Sequence, residues 1–214
     1  MRADNVAATR AMYDTVAVAY GQLVTGLDPE SGLEGAMLTA FADRVRGAGR
    51  VLDAGCGTGR MTDWLGSVGV VADGVDLSPG MIAVARETYP TLEFAVGSMT
   101  ALDVPDASLA GVLAWYSIIH TSPADLPALA AELARVLAPG GHLLLGWHAG
   151  DDAVRPMTHA YGHDVSADAY RHAPESVAAA LRAAGLVVSA QLVREPQPDR
   201  EKSPQATLLA RRPG

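Results

Sequence analysis

The chain has 214 residues, 49% of them apolar and 19% charged, with a formal net charge of −8. That length allows one domain with a substantial core and would crowd two. The composition is that of a folded globular protein, and its acidity opposes tight binding to a nucleic-acid backbone or an anionic membrane. Cys56 is the only cysteine, which excludes an internal disulfide and a cysteine-based metal cluster. Residues 1–5 carry no apolar leader core and no run reaches the length of a membrane span, so a cytoplasmic protein is expected.

The first fifty residues read as helices. Apolar residues recur at helical spacing over Val6–Val24 and again over Leu33–Val45, before the break at Gly47-Ala-Gly49. From Val51 strands and helices alternate. Val51–Ala54 is a strand that breaks into Gly55-Cys-Gly-Thr-Gly59, and a helix opens at Arg60. Val70–Asp76 is a strand, and Ser78-Pro79 is an N-cap followed by proline at the first helical position. Leu92–Val96 and Leu109–Tyr116 are the next strands. Ser122-Pro123 starts a helix with Leu126, Leu129, Leu133, Val136 and Leu137 on one stripe, ending at Pro139-Gly-Gly141. His142–Trp147 is a strand, Pro174–Ala184 a helix stopped by Gly185, and Leu186–Arg194 and Ala206–Arg211 are closing strands. The segment 149–173 is expected to be an irregular connection.

Such alternation specifies an α/β, Rossmann-like doubly wound sheet with helices on both faces. The last two strands lack an intervening helix, so one of them must run antiparallel. We read the whole chain as a single unit, with residues 1–48 a helical lid and 49–214 the core.

The glycine-rich turn after Val51 is built to lay backbone against a ligand at a helix N-terminus. A dinucleotide fingerprint has the spacing G-x-G-x-x-G, whereas this loop has G-x-G-x-G. Asp76, at the end of the second strand, is the usual partner of ribose hydroxyls. The run Val51–Gly59, the segment Gly74–Met81, Gly97-Ser-Met99, Pro105–Leu109 and Arg135–His142 follow one another in order over residues 50–148. Together they resemble the class I S-adenosylmethionine-dependent methyltransferases.

The resemblance implies seven strands in the order 3-2-1-4-5-7-6, with strand seven antiparallel, and S-adenosyl-L-methionine as cofactor, released as S-adenosyl-L-homocysteine (SAH). It also implies that Gly55, Gly57 and Gly59 approach the methionine part, that Asp53 organises the loop or the cofactor amine, and that Asp76 takes the ribose diol. Leu77 and Met81 would flank the adenine, Ser98 and Met99 would lie at its edge, and Trp115 would line the methionine side. Many relatives carry aspartate where Ser98 stands. Tyr13 and Tyr20 lie on a first helix that resembles the lid of small-molecule methyltransferases, with Tyr20 on the cofactor side.

Candidates for acceptor chemistry leave the C-terminal strand ends, where open α/β sheets bind ligands. His120 is the candidate base. Tyr13, Tyr116, His148, His159, Tyr161 and His163 are candidate substrate contacts. His159 and His163 stand at i, i+4, but the intervening Gly162 weakens a helical metal pair, and no metal is expected. The expected activity is methyl transfer to an O, N or S atom of a small-molecule metabolite, by a monomer or homodimer binding neither nucleic acid nor membrane. Two alternatives remain at this stage: a nicotinamide-dependent oxidoreductase and a non-catalytic cofactor-binding protein of the same fold.

Overall fold

The computed structural model describes residues 3–24, 32–198 and 200–214, so residues 25–31 of the expected lid lie outside the described residues. In chain order the elements are α1 (Ala3–Leu23), α2 (Leu33–Val45), β1 (Val51–Ala54), α3 (Arg60–Ser67), β2 (Ala72–Asp76), α4 (Pro79–Thr88), β3 (Phe94–Val96) and β4 (Leu109–Trp115). There follow α5 (Leu126–Val136), β5 (Leu137–His148), β6 (Val154–Ala160), β7 (His163–Tyr170), α6 (Pro174–Ala183), β8 (Val187–Arg194) and β9 (Gln205–Arg211). Short 3₁₀ turns at Ile118–His120 and Pro123–Asp125 bridge β4 to α5.

Seven strands form one sheet in the order β3-β2-β1-β4-β5-β9-β8. β1 to β5 are parallel, and β9 runs antiparallel to both β5 and β8. Counted within this sheet alone, that is the order 3-2-1-4-5-7-6. All seven residues of β4 are buried, as a strand covered on both faces requires. Its alternate side chains serve two cores. Val112 and Ala114 pack with α5 and α6, while Leu113 and Trp115 pack with α2 and α3. On the second face a Cβ at Gly111 would meet Val45 at 2.8 Å, so glycine there sets how closely α2 approaches β4.

Helix α1 docks on the start of α4. Ser78 caps α4 by accepting from the Met81 N–H at 3.0 Å, and its hydroxyl donates to Asp14 at 2.6 Å. The Asp14 carboxylate also accepts from the Gly80 N–H, at 2.9 Å, placing a negative charge at a helix N-terminus.

Two expectations need correction. The fifth helix ends at Val136, not at the Pro-Gly-Gly segment. Leu137 already pairs with Leu109, and the register shifts before His142 meets Gly111. The Arg212 guanidinium donates to the carbonyls of Ala134, Arg135 and Leu137, satisfying groups a helix end leaves open.

The segment expected to be irregular contains a second sheet, the antiparallel hairpin β6–β7. Tyr161 and Gly162, at φ of 50° and 83°, form its two-residue turn, the backbone handedness such hairpins favour. Among the described residues no helix is long and apolar enough to cross a membrane.

Candidate active site

The C-terminal ends of β1, β2, β3 and β4 converge beneath α1. Gly55 leaves β1 at φ 80°, and a Cβ there would lie 2.2 Å from that of Ser117. Only glycine lets these two backbones pass so closely. Gly57 donates its N–H to Asp76 at 2.9 Å, and Ser78 donates its own to the other oxygen of the same carboxylate, also at 2.9 Å. Asp76 thus ties the glycine loop of β1 to the start of α4. Burial pushes its pKa up, and these two backbone donors oppose the shift.

Beneath the loop, Asp53 is buried and accepts from the Thr62 hydroxyl at 2.7 Å. Burial raises its pKa to about 7, against the weaker opposing effects of Thr62 and Arg60. Gly59, at φ 87°, forms the N-cap of α3, where a Cβ would strike Phe94 at 2.7 Å.

Thr9, Tyr13, Gly55, Asp76, Leu77, Gly97, Ser98, Met99, Thr100 and Thr121 enclose a cavity of about 60 Å³. Sites that hold a drug-sized ligand run to roughly 300–1,000 Å³. Tyr13 and Tyr20 of α1 and Tyr161 of the hairpin turn cluster with Val16, Ala17 and Met81 over the glycine loop. The rings of Tyr20 and Tyr161 meet edge to face at 5.0 Å. The cradle therefore lies under a closed cover. Two buried hydroxyls beside it, Thr9 Oγ1 and Ser117 Oγ, have no hydrogen-bond partner among the described residues. Buried polar groups are normally paired, so these two suit a ligand with polar groups.

His120 is buried, and both ring nitrogens are engaged. The Asp168 carbonyl, 2.7 Å from Nδ1, can only accept, so Nδ1 carries the proton. Nε2 then accepts from the Tyr13 hydroxyl at 3.0 Å. Burial lowers the His120 pKa and raises that of Tyr13 well above its ordinary value.

The remaining expected residues fall into separate places. Met81, 1% exposed, is packed against Val16 and Ala17 and does not line the cavity. Trp115 lies over Gly146 in the core beneath α2. Tyr116, just past β4, meets His148, the last residue of β5, their ring centroids 4.9 Å apart. His159 and His163 are exposed on the hairpin, and His159 faces Asp164 at 3.3 Å. Among the described residues no three His, Cys, Asp or Glu side chains are grouped to hold a metal.

Sequence reasoning passed over Thr9, Ser117 and Gln205. Thr9 lies one turn before Tyr13 on the face of α1 that lines the cavity, a signal available from helical spacing. Gln205 lies opposite His148 only through strand register, which no local pattern reveals.

The model of a methyltransferase domain matches residues 51–141. Malonyl-acyl-carrier protein O-methyltransferase of Serratia marcescens is 37% identical over 95 residues, 44% of this chain and 36% of the relative. The protein of the same name from Erwinia billingiae is 29% identical over 174 residues, 74% of this chain and 68% of its own. The domain match and these relatives support a class I S-adenosylmethionine-dependent methyltransferase. The fold is also that of DhpI in its complex with SAH, with a TM-score of 0.73 over 100% of this chain and 99% of that one, at 19% identity. The chain spans about a third of the Serratia relative and about two thirds of the Erwinia one.

S-Adenosylmethionine is the cofactor of this family, and the residues present fit it. The cradle supplies a carboxylate for a diol, backbone that a Cβ would obstruct, and two unpaired hydroxyls.

Proposed function

We propose that this methyltransferase transfers the methyl group of S-adenosylmethionine to a heteroatom of a small-molecule acceptor in the cytoplasm, as a monomer or homodimer. The observation that carries the reading is the cradle itself: Gly55 pressed against Ser117, with Asp76 binding the glycine loop. When bound, the cofactor supplies an electrophilic methyl group on a sulfonium. The protein's work is then to align the acceptor and exclude water, which removes much of the entropic barrier.

In this reading Asp76 holds the ribose hydroxyls, while Leu77, Ser98 and Met99 border the adenine. Gly55, Gly57, Thr9 and Ser117 surround the methionine part, and buried Asp53 stiffens the loop from below. Tyr20 and Tyr161 close over the top. Because the cavity measures only about 60 Å³, cofactor entry requires α1 and the hairpin turn to move apart. His120 acts through Tyr13: it holds the phenol in place and has no free nitrogen for the acceptor.

Two relatives bear the name of an O-methyltransferase, which supports an oxygen acceptor over nitrogen or sulfur. Calorimetric titration with S-adenosylmethionine tests the reading. Saturable binding with a Kd well below about 1 mM is expected, and no binding at that concentration overturns it.

A further inference from the structure

A second polar cluster lies outside the cavity, and its hydrogen bonds fix the state of an exposed histidine. Gln205 opens β9, is 2% exposed, and pairs in register with His148 at the end of β5. Its amide nitrogen donates to the Ser203 carbonyl at 2.8 Å. A carbonyl can only accept, so the amide has one orientation and Oε1 points the other way. That oxygen lies 2.8 Å from the Tyr116 hydroxyl and 3.0 Å from Nδ1 of His148. Both groups must donate to it, so Nδ1 carries the imidazole proton. Among the described residues Nε2 is left with its lone pair and no partner, on a residue that reaches the surface.

Two further observations bear on what this lone pair could do. His148 is the last residue of β5 and Tyr116 the first beyond β4, at the edge of the sheet that carries the cradle. Tyr116 is also held at φ 56°, a conformation costly for a non-glycine residue and characteristic of functional sites. Its neighbour Ser117 forms the wall against Gly55.

We propose that His148 is the general base of this methyltransferase, that Gln205 is its positioning residue, and that the acceptor atom is a hydroxyl oxygen, phenolic or enolic. The proposal rests on the methyltransferase reading above. A hydroxyl must lose its proton as it is alkylated, whereas a neutral amine already carries its lone pair. The acceptor oxygen forms its bond to the methyl carbon as the sulfur–methyl bond breaks, with that electron pair staying on sulfur. The proton passes to Nε2 of His148, and the cofactor leaves as the neutral thioether. Loss of hydration around the ring lowers the pKa of His148; Arg171 lowers it further, while the hydrogen bond to Gln205 and the charge of Glu201 oppose.

Long-range 1H–15N spectra of the full-length labelled protein read the tautomer without any acceptor. An Nδ1–H tautomer is expected for His148, and Gln205→Leu should mix the tautomers while leaving His120 unchanged. An Nε2–H tautomer in the wild type overturns the proposal. Transfer of labelled methyl from S-adenosylmethionine to a panel of simple phenols and enols, 4-nitrophenol among them, reads the chemistry.

His148→Gln should lower kcat about 10²–10⁴-fold with cofactor affinity unchanged by calorimetry. Gln205→Glu places a carboxylate beside Nδ1–H, so the acid limb of the rate profile should move to higher pH, which a purely structural role would not produce. Wild-type kcat in His148→Gln, an unmoved limb in Gln205→Glu, or no transfer to any hydroxyl overturns the base assignment. If cofactor still binds in those cases, the methyltransferase reading stands; if cofactor does not bind at all, that reading fails instead.

Discussion

Gly55 shows how much one side chain can decide. An alanine there must adopt φ near 80° and place its Cβ 2.2 Å from that of Ser117, a neighbour held by backbone and unable to swing away. Gly55→Ala should cost at least about 2 kcal/mol in chemical denaturation and abolish detectable SAH binding. Asp53 gives a different kind of prediction. Its proton is held up to about pH 7 in the folded protein, against 3.8 for the ordinary group. The stability this proton confers is fully present below about pH 3.8 and is lost as pH rises towards 7, because the unfolded chain releases it first. Asp53→Asn should flatten the stability profile across that window in cofactor-free protein. The glycines and Asp76 stand out in the sequence because each sits in a short motif at the end of a strand, although the contacts that constrain them, such as Gly55 with Ser117, are distant in the chain. The closed tautomer of His120 was not, since it is set by a backbone carbonyl 48 residues away.

Among the elements, α1 and the hairpin turn form the cover, and their contact is measurable. Replacing Tyr20 and Tyr161 by alanine, singly and together, should give a coupling energy of about 0.5–1.5 kcal/mol in a double-mutant cycle. The same loss should speed cofactor association in stopped-flow measurements, since entry requires the two rings to part. Additive effects with unchanged association would mean that the cover opens elsewhere. The hairpin itself escaped the sequence reading. Its turn is Tyr-Gly rather than the usual Asn-Gly, and the exposed strands alternate weakly. The misplaced end of α5 has a similar origin, because the capping guanidinium of Arg212 arrives from far along the chain. By contrast α2, whose apolar spacing is strong, runs from Leu33 to Val45 as its periodicity requires.

For the molecule as a whole, a ligand that binds only the folded state adds stability by mass action. SAH at a hundred times its Kd should add about 2.7 kcal/mol, or roughly 5–10 °C in Tm for a chain of this size. NAD(H) should leave Tm unchanged, and a rise with NAD(H) alone would count against the cofactor assignment. Hydrogen exchange should slow in α1 and the hairpin on adding SAH, because the cover then closes over something. The sheet order was legible from alternation and the terminal pair of strands. The tertiary position of the cover was not, because α1 reaches the hairpin across about 150 residues of chain.

The interior place of β9 has a consequence for how the protein is made. β9 follows the other described strands of its sheet in sequence, yet it inserts between β5 and β8. Until residues 205–211 leave the ribosome, β5 is an open sheet edge flanked by Leu143, Leu144, Leu145 and Trp147. Such an edge is a template for pairing with other chains. Truncation after Pro204 should therefore yield aggregates rather than a slightly shortened enzyme, as size-exclusion chromatography would reveal. β9 is thus the strand through which β8 is joined to the rest of the sheet.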